Sequence, residues 1–338
     1  MGAKKKVLVV DKISPKTRLL SRKYLTPEAE IFFYDKDSDV DEHIATADVL
    51  ITSTKGVSKE LLARAPKCIM IQKYGAGVNN IAIDEATMRG IPVGYTAGQN
   101  SRSVAEYAVM LMLAVSKHIT TAHGKLAGEG LWLKAVLRDT CYELSYKKVG
   151  IIGLGNIGRQ VVALLRGFQC EVSYYDVFRL PAEQEEKLGV RFANLDTLLR
   201  ESDVISLHAP LTEQTRHLMN EERLRAMKPT AILINTSRGS LIDEKALIRV
   251  LQSGHLLGVG LDVYETEPID QHHPLAKIER VVLSPHNGGG TNEAMEAVVR
   301  DACQNINSIL IEGRIANQKA IVNLKELAAP AGKISREE

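Results

Sequence analysis

The sequence predicts an α/β fold built from two doubly wound parallel-sheet domains, and three observations predict it. The chain has 338 residues, beyond the length at which one hydrophobic core usually stops growing. Short apolar runs alternate with longer segments of helical period, the pattern of parallel strands covered by helices on both faces. In the second half, one such run leads through a glycine-rich turn into a helical segment, as happens at the crevice of a doubly wound sheet.

In chain order, residues 6–10 read as a strand and residues 16–24 as a helix. Residues 48–52 and 68–72 again read as buried strands. Residues 103–118 are largely apolar and read as a buried crossing helix. Six further strands follow at residues 147–152, 171–175, 204–208, 231–235, 257–263 and 280–283, with helical segments between most of them. Residues 292–311 are amphipathic, with Met295, Val298, Val299, Ala302, Ile306 and Ile309 on one side. Domain boundaries are expected near the two long helices. Residues 328–338, rich in Ala, Pro, Gly and charge, read as a frayed tail.

Composition excludes several classes. With 45% hydrophobic and 25% charged residues and a formal charge of +2, nothing points to nucleic acid or to an anionic membrane. The apolar run after Lys6 is too short for a signal-peptide core, and the longest apolar stretch, residues 107–115, is too short to span a bilayer. Lys6 stands where a myristoylation signal after Gly2 wants Ser or Thr. Cys68, Cys141, Cys170 and Cys303 form no C-x-x-C pair and have no histidine at ligand spacing. Reduced thiols, no metal site and a cytoplasmic location are the expectation.

The strongest local signal is G-x-G-x-x-G at Gly153, Gly155 and Gly158. The first glycine permits a tight turn, the second lets the backbone approach a pyrophosphate, and the third lets helix and strand pack closely. The helix start supplies free N–H groups for phosphates. Alone the motif is weak. Here a strand precedes it, a helix follows, and the next strand ends in Asp176 about 20 residues on. A carboxylate there accepts ribose hydroxyls and repels a 2′-phosphate, which favours NAD over NADP. Arg179, three residues on, weighs against that preference.

Three more segments stand at strand ends, where ligands bind in open α/β sheets. Arg238, in Asn-Thr-Ser-Arg-Gly, is suited to hold a carboxylate and polarise a neighbouring carbonyl. Asp262 and Glu267 follow a strand that is otherwise apolar. His286 precedes three glycines. Each alone reads as an ordinary loop residue. Together they fit carbonyl reduction: histidine gives the proton, Glu267 orients it, and Arg238 stabilises the oxyanion.

These segments, in this order, resemble the D-isomer-specific 2-hydroxyacid dehydrogenase family over nearly the whole chain. The resemblance implies a Rossmann NAD-binding domain at 107–294, inserted into a flavodoxin-like substrate domain made of 1–106 and 295–338. It implies Arg238, Glu267 and His286 as the catalytic set. Asp262 would contact the nicotinamide carboxamide. Gly153, Gly155, Asn156, Ile157, Gly158, Asp176, His208, Ala209, Pro210, Thr215, Thr236, Ser237 and Gly288 would line the cofactor. Lys73, Tyr74, Gly75, Ala76 and Gly77 resemble the loop that holds the substrate carboxylate. A homodimer through the cofactor domain is implied, with the segment near Trp132 at the contact. Departures are Asn79, where an acidic residue is common, and Tyr146-Lys147-Lys148, where Gly-Lys-Thr is usual. Family formate dehydrogenases carry glutamine at the position of Glu267, so formate oxidation is disfavoured.

The substrate is a small 2-hydroxy or 2-oxo acid, of 3-phosphoglycerate type or hydroxypyruvate and glyoxylate. Lys73 suits a phosphate, with a surface lysine as the equal alternative, and Tyr74 offers bulk and a hydroxyl. A regulatory domain after the last long helix, and serine feedback through one, are not expected. The alternative function is an NADH-sensing dimeric corepressor of the same fold.

Overall fold

The structure is a computed structural model and describes residues 4–315 and 317–327, apart from the side chain of Ser38. The expected tail at 328–338 and the Gly2 signal lie outside the described residues. The chain forms two compact units. One comprises the residues up to Asn100 together with those from Thr291, and the other is Ser101–Gly290.

In the first unit, the strands β1 (Lys5–Val9), β2 (Ala29–Phe33), β3 (Val49–Thr52), β4 (Met70–Lys73) and β5 (Val93–Gly94) form a parallel sheet in the order β2-β1-β3-β4-β5. Successive side chains of a strand point to opposite faces. Leu8, Val10, Leu50 and Ile71 therefore pack on one side with Val57, Leu62 and Ile81. Val7, Val9, Val49 and Ile51 pack on the other against Leu20 of the helix Pro15–Tyr24 and Val299, Ala302 and Ile306 of the helix Asn292–Glu312. Both faces are covered, which explains why residues 7–9 and 49–51 are continuously apolar. Ser14 caps the helix Pro15–Tyr24 by accepting the Thr17 N–H. The pairing of Thr52 with Lys73 sets the ends of β3 and β4 level.

The second unit holds β6 (Lys148–Ile152), β7 (Glu171–Tyr175), β8 (Val190–Phe192), β9 (Val204–Leu207), β10 (Ile232–Asn235), β11 (Gly258–Leu261) and β12 (Val281–Leu283). Their order is β12-β11-β10-β9-β6-β7-β8, and every pairing is parallel. The helix Ser101–Ser116 buries Ala105, Ala108, Leu111, Met112 and Val115 in a cluster with Ile151, Ile232 and Ile234. The strand order reverses between β6 and β9, the switch point at which such sheets bind ligands. The register carries this further: Ile152 pairs with Leu207, Leu207 with Asn235, Asn235 with Leu261 and Leu261 with Leu283. Gly153, His208, Thr236, Asp262 and Ser284, which follow those residues, thus leave the sheet side by side.

Candidate active site

The turn after β6 is built for close approach. Gly153 has φ +93°, and a Cβ there would lie 2.5 Å from the Ala209 nitrogen. Only glycine lets this turn abut the loop after β9. A Cβ on Gly158 would lie 2.3 Å from the Gly153 oxygen, so the helix Asn156–Leu165 seats directly on the turn. A Cβ on Gly155 would meet nothing within 4 Å, and Gly155 caps the helix without a side-chain bond to its first N–H groups. The helix start therefore faces open space with its donors available to an anion. Asp176 closes the other side, accepting the Leu154 N–H (2.8 Å) and the Phe178 N–H (3.2 Å). Ile157 packs onto the core.

The loop after β9 is tied to its neighbour, for the Ser237 hydroxyl donates to the Ala209 carbonyl (2.6 Å). Thr215 donates to the Pro210 carbonyl (2.7 Å) and accepts the Thr212 N–H (2.7 Å). The hydroxyls of Ser237 and Thr215 thus hold these loops in place. His208 places Nε2 on the Ser206 hydroxyl (2.8 Å), and burial pushes its imidazole down to about 4. His208 Nδ1 and the Thr236 hydroxyl are buried with no partner, two polar atoms that await a ligand.

Arg238 is set by the turn after β10. The buried Asn235 accepts the Ser237 N–H (3.0 Å) and donates to the Arg238 carbonyl (2.9 Å). Gly239 lies so close to the Tyr264–Glu265 peptide that a Cβ would stand 1.9 Å from the Tyr264 carbonyl carbon. This contact brings Arg238 up to the loop after β11. Burial lowers the Arg238 guanidinium from its ordinary value, while the Glu267 carboxylate acts in the opposite sense.

Glu267 accepts the Tyr264 N–H through Oε1 (3.0 Å) and meets His286 Nδ1 through Oε2 (2.6 Å). The carboxylate accepts at Nδ1, which fixes the tautomer and leaves Nε2 of the half-exposed imidazole as the nitrogen that faces chemistry. His286 sits at φ +52°, a conformation its own sequence does not favour. Asp262 imposes it. This carboxylate, 1% exposed, accepts the Ser284 hydroxyl (2.7 Å), the Asn287 N–H (2.8 Å) and the Gly288 N–H (2.7 Å). Tyr264 adds a second tie, its hydroxyl donating to the Ser284 carbonyl (2.9 Å). Glu244, at the start of the helix Glu244–Gln252, accepts the Glu265 N–H. Sequence reasoning did not single out Asn235, Glu244, Tyr264 or Ser284.

In the first unit, Lys73 is only 6% exposed. Its ammonium donates to the Ser53 carbonyl and to Asn80 Oδ1 (3.2 Å), so it is not a surface lysine. The buried Asp11 anchors the Ser53 loop by accepting the N–H groups of Ser53, Thr54 and Lys55. Tyr74 is buried as well: its ring joins the core with Val7 and Val299, and its hydroxyl meets Ser21 (2.9 Å). Gly75 donates to the Thr96 hydroxyl (2.9 Å), and Ala76 and Gly77 continue that loop.

Residues 109–288 match the family described as "D-isomer specific 2-hydroxyacid dehydrogenase, NAD binding domain". The chain belongs to this family. A glyoxylate reductase of Thermococcus litoralis is 42% identical over 271 residues, covering 78% of this chain and 81% of the relative. A hydroxypyruvate reductase of Thermotoga maritima is 41% identical over 258 residues, covering 75% and 82%. Among solved structures, D-lactate dehydrogenase from Aquifex aeolicus, complexed with NAD and lactic acid, superposes with a TM-score of 0.78 at 26% identity, covering 92% and 98%.

This dehydrogenase is an NAD-dependent oxidoreductase of 2-hydroxy acids. The second unit fits that cofactor. The open helix start at Gly155 suits the pyrophosphate, Asp176 at the glycine turn suits ribose hydroxyls, and His208 Nδ1 and Thr236 Oγ1 supply polar atoms without partners. No helix among the described residues is long and apolar enough to cross a membrane.

Proposed function

We propose that this dehydrogenase interconverts glyoxylate or hydroxypyruvate with the matching 2-hydroxy acid. The observation that carries the reading is the Glu267–His286 contact of 2.6 Å, which joins the loops after β11 and β12. A small 2-oxo acid offers a carboxylate and an adjacent carbonyl. Arg238 holds the carboxylate and draws charge toward the carbonyl oxygen. His286 Nε2 gives that oxygen its proton in reduction and takes it back in oxidation. Glu267 keeps the ring oriented through Nδ1 and stabilises the imidazolium. When bound, NAD(H) supplies or accepts the hydride.

The relatives that reduce glyoxylate and hydroxypyruvate support the substrate class. The commitment of Lys73 to Ser53 and Asn80 removes the motive for a phosphorylated substrate. We assign NAD to the second unit. A homodimer is supported by apolar side chains left on the helices Ser101–Ser116, Ile119–Glu129 and Lys134–Thr140 and the turn between the last two: Met110, Ile119, Leu126, Trp132 (76% exposed) and Val136. Four unpaired cysteines are in keeping with a cytoplasmic location.

The test follows NADH absorbance with purified protein and glyoxylate, hydroxypyruvate, phosphohydroxypyruvate and pyruvate. Turnover at ordinary enzymic rates with either of the first two is expected. A higher kcat/KM for phosphohydroxypyruvate or pyruvate would overturn the substrate assignment. Silence with every acid, despite NADH binding, would overturn catalysis in favour of a sensor.

A further inference from the structure

The sequence sets a cation, Arg179, three residues past Asp176, within about 10 Å of it along the chain. An arginine so placed is equipped to meet a 2′-phosphate and so to admit NADPH. The structure turns it elsewhere. Arg179 donates through Nε to Glu185 Oε1 (3.0 Å) and through Nη2 to Oε2 (3.4 Å). Its guanidinium also lies over the Phe192 ring at 5.2 Å.

Glu185 is itself fixed. It belongs to the helix Ala182–Leu188, its side chain is 12% exposed, and it accepts the hydroxyl of the buried Tyr174 (2.9 Å). That hydroxyl in turn accepts the Leu180 N–H (2.8 Å), so the pair and the loop after Asp176 form one network. Arg179 and Tyr174 together hold the Glu185 carboxyl below the usual carboxylate range. Arg179, 62% exposed, is thus reachable by solvent but already paired.

We infer that Glu185 is a cofactor-selecting residue: by engaging Arg179 it withdraws the cation that would otherwise bind a 2′-phosphate beside Asp176. Selection against NADPH then has two parts. Asp176 repels the phosphate, and Glu185 occupies its counter-ion. The inference rests on the assignment of the second unit as the NAD site.

The test measures binding calorimetrically with 5′-ADP and 2′,5′-ADP, which report the adenosine end without turnover. Wild type should bind 5′-ADP, and Asp176→Ser should relax the bias against the 2′-phosphate. Adding Glu185→Gln, which keeps an acceptor for Tyr174, should tighten 2′,5′-ADP about two- to fivefold beyond Asp176→Ser alone and leave 5′-ADP unchanged. Adding Arg179→Gln should abolish that gain. No gain from Glu185→Gln, or a gain that survives loss of Arg179, would overturn the inference while the NAD site stands. Loss of 5′-ADP binding in the Glu185→Gln protein would show a merely structural carboxylate and overturn it as well. Failure of wild type to bind 5′-ADP would overturn the NAD site and the inference together.

Discussion

Replacing Asp262 by Asn changes one atom and leaves the volume alone, yet it should damage the loop that carries His286. The carboxylate accepts three donors: the Ser284 hydroxyl, the Asn287 N–H and the Gly288 N–H. If the amide keeps its oxygen toward Ser284 and Asn287, its NH2 faces the Gly288 N–H. If it flips, the NH2 faces the Asn287 N–H. Either way one buried backbone donor loses its acceptor, at a cost of about 1–3 kcal/mol. The surviving bonds lose their charge assistance, a further loss of about 1 kcal/mol. A total near 3 kcal/mol lowers the melting temperature of a unit of this size by about 6–12 °C. The loop also relaxes from the left-handed conformation at His286, so kcat should fall at least about tenfold. Thermal unfolding and steady-state kinetics on the same preparation measure both. A melting temperature within a degree of wild type, together with an unchanged kcat, would refute the claim that Asp262 holds the loop.

His286→Gln should reduce kcat by about a hundredfold or more, as loss of a general acid does, while NADH titration gives a near-normal Kd; near-normal turnover would remove His286 from the proton-donor role. The His208 imidazole is lowered to about 4 by burial, so folding favours its neutral form. That stability, roughly 3 kcal/mol, is present above pH 6.5 and is lost as the pH falls toward 4. Between pH 7 and pH 4.5 the cofactor-free wild type should lose more melting temperature than His208→Asn, and parallel losses would count against a buried neutral His208.

The fold was largely legible because the strands that carry it are short, apolar and covered on both faces. Residues 171–175 of the sequence reading coincide with β7, and the starts of β9 and the end of β10 match as well. The strands that escaped are short or interrupted by charge. In β2 the exposed Glu30 breaks the apolar run and no residue is fully buried, β5 has two residues and β8 three, with Arg191 at its centre. The glycine loop announced itself by spacing. The site's supports did not. Glu244 follows Asp243, which caps its helix by accepting the Ala246 N–H, so in the sequence it reads as an ordinary first-turn acid. Its contact with Glu265 spans 21 residues and has no periodic signature. The burial of Lys73 and Tyr74 was not legible either. Both types usually keep their polar ends in water, and here tertiary bonds to Ser53, Asn80 and Ser21 drew those ends inward.

The positive φ of His286 has a consequence for what this site can act upon. An acid as small as glyoxylate brings only a handful of heavy atoms, each worth at most about 1.5 kcal/mol of binding. A ligand of that size has little free energy to spend on ordering a loop. The loop must therefore be preorganised during folding, and the three bonds to Asp262 do this before any substrate arrives. Larger acids gain no special advantage from such an arrangement, whereas two- and three-carbon acids depend on it.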